Sequence, residues 1–196
     1  MDLATLLIAC APLVHPTTAQ ALVSVESAMN PFAIGVVGGQ LVRQPRTRAE
    51  ALATARQLDA DGWNYSVGPS QINRRNWSRL GLTAETAFDP CQNLRAMQAI
   101  LGECYSRAEL GSPSQQVALR KALSCYYSGN FVTGLQEDIP GQPSYVNKVT
   151  AAARAMPRPD HPPRHLESIR VPHLAPRGNR HLCKPWARLT NQGENE

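Results

Sequence analysis

Residues 17–31, TTAQALVSVESAMNP, place a single carboxylate among apolar residues. The apolar side chains recur at three- and four-residue spacing, which predicts an amphipathic helix that ends near Asn30. Glu26 falls on the same stripe as Leu22 and Met29, so its carboxyl faces the apolar side of the helix. A carboxyl group buried there should have a raised pKa, which a general acid working near neutral pH requires. Alternatively, Glu26 lies at a partly exposed edge of the stripe, since glutamate is seldom fully buried.

The composition indicates one folded domain with a basic surface. The chain has 196 residues, 42% of them hydrophobic, which suffices for a domain of ordinary size and a tail. Its net charge of +5 favours an anionic environment such as a cell-wall polymer, a membrane surface or nucleic acid. No nucleic-acid-binding motif occurs, so nucleic acid is not expected as a partner. No segment approaches the length of a transmembrane helix.

The N-terminus does not form a convincing signal peptide. The apolar run of residues 3–14 is short and is broken by Pro12, and Asp2 gives no positively charged start. Residues 3–11 are therefore predicted to form a short helix that packs on the domain, and the export route stays open.

Five cysteines bear on the compartment and on metal binding. No pair has C-x-x-C spacing, so the sequence predicts neither a zinc site nor a thioredoxin-like motif, and no metal or cofactor is expected. One or two disulfides among Cys10, Cys91, Cys104 and Cys125 would fit an oxidising compartment. Buried reduced cysteines are the alternative.

The remaining pattern combines several helices with one small sheet. Gly38-Gly39 between two apolar runs predicts a tight β-hairpin over residues 34–43, with a third strand at residues 63–68. Residues 69–73 should lead into a short helical piece. Helix-start signals occur at Thr17, Thr47, Asp89, Ser112 and Ser144. The fold class is therefore α+β and mostly α.

The composition changes at Pro157. Seven of the 16 prolines and four of the five histidines lie in residues 156–196, which carry few apolar side chains and cannot build a core. The chain is therefore predicted to have a folded domain over residues 1–155 and a disordered, Pro-rich, basic tail over residues 156–196. The tail is either a solvated linker or a segment that binds partner proteins.

Four separated motifs occur in order along the folded part. They are Glu26-Ser27-x-x-Asn30-Pro31, SVGPSQIN at 66–73, SCYYSG at 124–129 and YVxxV at 145–149. Together they resemble the soluble lytic transglycosylase domain, which has a lysozyme-like fold. The segments AIGVVGG at 33–39 and FDPC at 88–91 are similar to the subgroup of this family that serves type IV secretion systems.

The resemblance implies a role for each matched residue. Glu26 would be the only catalytic acid and base, and Ser27 would help to place the acetamido group of the substrate. Tyr126 would reach toward Glu26, and Tyr145 would complete the wall of the site. The implied substrate-binding residues are Ser27, Ser66, Gly68, Gln71, Asn73, Tyr126, Tyr127 and Tyr145.

Two positions depart from the pattern of the wider family. Pro69-Ser70 stands where the family has Leu-Met, and Tyr127 stands where it has Asn. The ring of Tyr127 can therefore point into the core or into the groove, and the shape of the sugar subsites stays open.

The implied reaction is the cleavage of peptidoglycan between N-acetylmuramic acid and N-acetylglucosamine without net hydrolysis. Most glycosidases need two carboxylates, and no second one lies in a motif comparable to that of Glu26. In lytic transglycosylases the muramic C6 hydroxyl attacks C1, which leaves a 1,6-anhydro end. The resemblance implies a periplasmic protein that acts on the glycan strands of peptidoglycan for a type IV secretion system. The tail would bind proteins of that system. The alternatives are a lysozyme-type hydrolase and a non-catalytic glycan-binding assembly factor.

Overall fold

The computed structural model describes residues 3–156 of the chain. Within them, seven helices and three strands follow in the order α1 (Leu3–Cys10), α2 (Pro16–Ser27), β1 (Ile34–Val36), α3 (Arg48–Ala60), β2 (Tyr65–Val67), β3 (Ile72–Asn73), α4 (Ala84–Ala87), α5 (Pro90–Glu109), α6 (Gln115–Ser128) and α7 (Tyr145–Ala155). Short 3₁₀ turns lie at Arg74–Asn76, Ser78–Leu80 and Thr133–Leu135. The predicted class, mostly α with a small antiparallel sheet and consistent with a lysozyme-like fold, is confirmed.

The core is organised around α5, the longest helix. Leu94, Met97 and Leu101 form its buried stripe, and the helix packs against α6 and α1. Helix α2 contacts α1 and α7, so the helix that carries Glu26 is held from two sides. The predicted N-terminal helix is present, and Leu7 of α1 is buried in the core.

The sheet differs from the predicted hairpin. Strand β1 pairs antiparallel with β2, and β2 pairs with β3, so residues 40–43 are not a strand. The side chain of Gln44 occupies the other side of β1, because its amide accepts from the Ile34 N–H and donates to the Ile34 carbonyl at 2.8 and 2.9 Å. Residues 72–73, predicted to lie before a helical piece, form β3, and the 3₁₀ turns follow it.

Helix starts follow the capping signals in part. Thr47 and Asp89 cap α3 and α5 as predicted, each accepting a hydrogen bond from the N–H three residues on. The predicted box at Thr17 is wrong: Pro16 already begins α2, and the His15 side chain accepts from the Thr17 N–H. This agrees with the preference of proline for the first helical position. The start predicted at Ser112 is displaced to Ser114, which caps α6.

Two disulfides tie the helices together. Cys10–Cys91 links α1 to α5, and Cys104–Cys125 links α5 to α6. All four cysteines of the described domain are therefore paired, and the alternative of buried reduced thiols is wrong. Crosslinks that close long loops reduce the entropy of the unfolded chain.

Two remaining predictions concern membrane-spanning helices and the C-terminal tail. In residues 3–156, no helix has both the length and the apolar character needed to cross a membrane. The predicted tail, apart from Met156, lies outside the described residues, so the boundary of the domain stays a prediction.

Candidate active site

Glu26 lies in the last turn of α2, where the helix ends abruptly. The helix ends at Ser27, before the predicted end near Asn30. Ala28 and Met29 then take left-handed backbone angles, with φ of 50° and 66°. Such angles are costly for residues other than glycine, and strained backbone of this kind clusters at functional sites. The turn leaves the Glu26 side chain beside a groove.

The carboxyl of Glu26 has the electrostatics of a proton-transfer group. It is partly buried, and burial raises its pKa from 4.5 to about 7. A hydrogen bond from Tyr145 acts in the opposite direction with a smaller effect. The predicted rise in pKa is therefore confirmed. Near neutral pH this carboxyl can both donate and accept a proton, as a residue that serves in turn as acid and base must.

Two stacked tyrosines support this carboxyl. The Tyr145 hydroxyl, from the first turn of α7, donates to Oε1 of Glu26 at 2.5 Å. Burial and the nearby carboxylate raise the pKa of Tyr145 well above its ordinary value, so the phenol keeps its proton. The ring of Tyr127 stacks on that of Tyr145, with centroids 4.5 Å apart, and its hydroxyl donates to Asp138 at 3.1 Å. Tyr127 is 44% exposed, so it lies at the groove rather than in the core.

Two residues near Glu26 are fastened to the loop between β2 and β3. The Ser27 hydroxyl lies 2.8 Å from the Pro69 carbonyl oxygen and 3.2 Å from that of Val23. The Tyr126 hydroxyl donates to the Ser70 carbonyl at 2.6 Å. Burial and the charge of Glu26 raise the pKa of Tyr126 well above its ordinary value, and both residues line the groove. The Ser27 hydroxyl is directed at main-chain carbonyls, so its role toward an acetamido group stays a prediction.

The same loop presents Gln71 to the groove in a strained conformation. Gln71 has a positive φ of 49°, and its amide donates to the carbonyls of Gly68 and Ala33 at 2.9 and 3.1 Å. A Cβ on Gly35 would lie 2.7 Å from the Gln71 amide oxygen, so a larger residue there would displace the end of the Gln71 side chain. The Gly68 N–H donates to the Ala33 carbonyl at 2.9 Å, and Gly68 is not among the described residues that line the groove.

Polar side chains of the sheet also face the groove. Asn73 on β3 donates to the hydroxyl of Ser66 on β2 at 3.2 Å, and the two residues are paired in the sheet register. Both line the groove. Their amide and hydroxyl groups are of the kind that bind sugar hydroxyls and acetamido groups.

The groove has a volume of about 560 Å³ and collects most of the predicted residues. Those that line it are Glu26, Ser66, Gln71, Asn73, Tyr126 and Tyr127. Within the described residues, Glu26 and Glu103 are the carboxylates on its wall. Glu103 was not predicted from the sequence, and its carboxylate is held by the Arg79 guanidinium at 2.9 and 3.0 Å. Glu26 is therefore the groove carboxylate that is not neutralised by an ion pair.

A comparison with known protein families agrees with this geometry. The family model for the transglycosylase SLT domain matches residues 7–142. The chain belongs to the transglycosylase SLT domain family. This SLT domain is 54% identical over 151 residues to the type IV secretion system protein virB1 of Brucella abortus, a match over 76% of this chain and 63% of that protein. It is 38% identical over 149 residues to protein virB1 of Agrobacterium tumefaciens, over 75% and 59% of the two chains.

The matches cover part of this chain and part of each relative. The chain spans about three-fifths of the length of the curated relatives it matches. No solved structure gives a significant match. The SLT model ends at residue 142, so Tyr145, which binds the Glu26 carboxyl, lies beyond the matched range.

Asn93 shapes the SLT site but was not predicted from the sequence. This residue of α5 is fully buried. Its amide donates to the carbonyls of Val67 and Ala87 at 2.9 and 2.8 Å, and it accepts from the Ser70 N–H at 2.9 Å. A Cβ on Gly68 would lie 2.3 Å from the Asn93 amide nitrogen, so glycine is required opposite it. Asn93 thus fixes the loop that carries Gln71 and fastens Ser27 and Tyr126.

Ser70, one of the departures from the wider family pattern, is also buried. Its hydroxyl has no hydrogen-bond partner within residues 3–156. An unpaired buried hydroxyl destabilises the fold, since it loses its water without replacement. Its main-chain groups, in contrast, contact Asn93 and Tyr126.

Proposed function

We propose that this SLT domain is a peptidoglycan lytic transglycosylase. It cleaves the β-1,4 bond between N-acetylmuramic acid and N-acetylglucosamine and leaves a 1,6-anhydro-muramic end. The observation that carries the proposal is the Glu26 carboxyl, which has a pKa of about 7 and a hydrogen bond from Tyr145 at the edge of the groove. Membership in the SLT family supports the same reaction class.

The proposed mechanism uses one carboxyl in two steps. Protonated Glu26 first donates its proton to the glycosidic oxygen, and the bond from C1 to that oxygen breaks. The acetamido group of the muramic residue stabilises the positive charge at C1. Glu26, now a carboxylate that accepts the Tyr145 hydrogen bond, then removes the proton of the C6 hydroxyl as that oxygen attacks C1. The proton balance closes without a water molecule.

The groove residues supply binding and orientation. The amides of Gln71 and Asn73 and the hydroxyl of Ser66 hydrogen-bond to the sugars. The exposed face of Tyr127 packs on a sugar ring, since one face of its ring is already covered by Tyr145. Tyr126 limits the volume beside Glu26.

The relatives and the disulfides support a proposal for the cellular setting. Two disulfides suit an oxidising compartment, and the similar virB1 proteins carry the name of a type IV secretion system. We therefore propose that the domain acts in the periplasm and opens the cell wall locally for such a system. Residues 1–155 would be the catalytic domain, and residues 156–196 would be a tail that binds proteins of the secretion apparatus.

Digestion of purified sacculi tests the reaction. The wild-type protein should release soluble muropeptides with anhydro ends, identified by mass spectrometry, and a Glu26→Gln variant should release none above background. Reducing ends in place of anhydro ends would favour a lysozyme-type hydrolase. A Glu26→Gln variant that still restores secretion in a deletion strain would favour a non-catalytic glycan-binding assembly factor.

A further inference from the structure

The groove wall carries more positively than negatively charged side chains. The guanidinium groups of Arg75, Arg79 and Arg107 line it, together with the carboxylate of Glu103. Arg79 forms two hydrogen bonds with Glu103, at 2.9 and 3.0 Å, so these two charges cancel. Arg75 and Arg107 have no carboxylate partner in the part of the chain that the structure describes. Two unneutralised guanidinium groups therefore face the groove.

Arg107 is held in place without its charge being neutralised. Its guanidinium lies 5.6 Å from the centroid of the Phe131 ring and contacts the sulfur atoms of the Cys104–Cys125 disulfide. Disulfide sulfur is a weak hydrogen-bond acceptor, so most of the guanidinium donors stay free for a ligand. A guanidinium oriented by an aromatic ring loses less conformational entropy when it binds an anion.

Arg75 contrasts with its neighbour Arg74. The Arg74 side chain hydrogen-bonds to Asp59 at 3.0 Å and lies over the ring of Trp77. The Arg75 side chain is exposed toward the groove, and its backbone N–H is fixed by the side-chain oxygen of Asn73 at 3.1 Å. Arg74 therefore contacts residues of the folded domain, whereas the Arg75 guanidinium is available to a ligand in the groove.

We propose that Arg75 and Arg107 form a carboxylate-binding subsite that takes the anionic peptide stem of the glycan substrate. This inference rests on the proposed function. Uncharged sugar hydroxyls do not require a guanidinium, whereas its planar donors match a carboxylate. Peptidoglycan offers carboxylates on its peptide stems, and strands without stems offer only the lactyl carboxylate of the muramic residue. The stem is the assigned ligand because intact strands keep the lactyl group in amide linkage.

The subsite acts on the substrate and not on the acid. Burial and the Tyr145 hydrogen bond set the pKa of Glu26, and neither arginine contributes to it. Removal of Arg107 should therefore raise KM for stem-bearing strands and leave the pH dependence of kcat unchanged.

The test measures binding in a Glu26→Gln background, where no cleavage occurs. The probes are soluble glycan strands with intact stems, the same strands with their stem carboxylates amidated, and strands whose stems have been removed by an amidase. The variants are Arg107→Gln and Arg75→Gln. The matched control is Arg95→Gln, since Arg95 is exposed on the same helix as Arg107 and does not line the groove.

Each arginine variant should weaken binding of intact strands about two- to fivefold, the range for partly exposed ion pairs, and should not change binding of amidated strands. Arg95→Gln should bind all three probes like the background protein. Arg107→Lys should recover part of the loss, because it keeps the charge without the planar fork.

Three results would overturn the inference. The first is an equal loss of binding to intact and to amidated strands. The second is a loss of binding in Arg95→Gln as large as that in Arg107→Gln. The third is a loss of binding that persists on strands without stems, which would assign the lactyl carboxylate as the ligand instead. Cleavage is read separately from anhydro product in the wild-type protein, so failure of the proposed reaction is distinguishable from failure of the subsite.

Discussion

Removal of one phenol oxygen, by Tyr145→Phe, should move the pH dependence of catalysis toward alkaline pH. The Tyr145 hydroxyl donates to Glu26 at 2.5 Å, and this hydrogen bond lowers the Glu26 pKa against the larger effect of burial. Phenylalanine keeps the ring that stacks on Tyr127. The substitution therefore removes the hydrogen bond and leaves the packing in place.

The size of the shift follows from the energy of that hydrogen bond. A hydrogen bond to a charged group contributes about 1.5 kcal/mol at the low end, and one pKa unit corresponds to about 1.4 kcal/mol. Glu26 has a pKa of about 7 with the bond present. Without it, the carboxyl should titrate at about pH 8. Because the first step needs the protonated acid, kcat/KM falls as the pH rises through this pKa.

The assay is the initial rate of muropeptide release from sacculi over a series of pH values. The alkaline limb of kcat/KM should lie at about pH 7 in the wild-type protein and at about pH 8 in the variant. Tyr105→Phe is the control, since Tyr105 is a partly buried tyrosine that does not line the groove. An alkaline limb that stays in place, or moves to lower pH, would refute the role of Tyr145 as the donor to the working carboxyl.

Three further substitutions test the energetics of the site. Glu26→Gln should raise the free energy of unfolding by up to about 3 kcal/mol above pH 7, because the folded-state pKa of about 7 exceeds the ordinary 4.5 and the ionised carboxylate therefore destabilises the wild-type fold. This gain should vanish below about pH 4, where the carboxyl is protonated in both states. Urea unfolding at both pH values measures the difference. Asn93→Ala should lower the free energy of unfolding by about 3 kcal/mol and reduce kcat/KM, because three buried hydrogen bonds to the loop are lost. Unchanged urea unfolding would contradict this. Ser70→Ala should raise the melting temperature, by an amount equivalent to about 1 kcal/mol, since it removes an unpaired buried hydroxyl; a lower melting temperature would show that the hydroxyl has a partner.

Local sequence signals predicted several helix starts, but they did not predict which strands pair in the sheet. The caps at Thr47 and Asp89 were predictable because an N-cap side chain bonds to an N–H three residues away. The hairpin prediction failed because Gly38-Gly39 is a local turn signal, whereas β1 pairs with β2 across the whole of α3. The side chain of Gln44 replaces the missing strand, and no periodicity marks such a residue.

The candidate site was predictable to the extent that its residues break a pattern. Glu26 is a carboxylate on an apolar stripe, and Asn93 breaks the stripe of α5 in the same way, one turn before Met97. The same argument could have found Asn93. Arg75 and Arg107 break no pattern, because charged residues on exposed positions are ordinary. Only the folded chain brings them to one groove with Glu26.

The origin of the oxygen at the cleaved C1 tests the central claim most directly, namely that Glu26 serves both steps and the substrate supplies the nucleophile. Sacculi are digested by the wild-type protein in ¹⁸O-labelled water, and the muropeptide products are weighed by mass spectrometry. The account predicts anhydro products without the label, since the C6 oxygen of the same sugar attacks C1. Labelled reducing ends as the main product would contradict it, because water would then be the nucleophile and the chain a hydrolase.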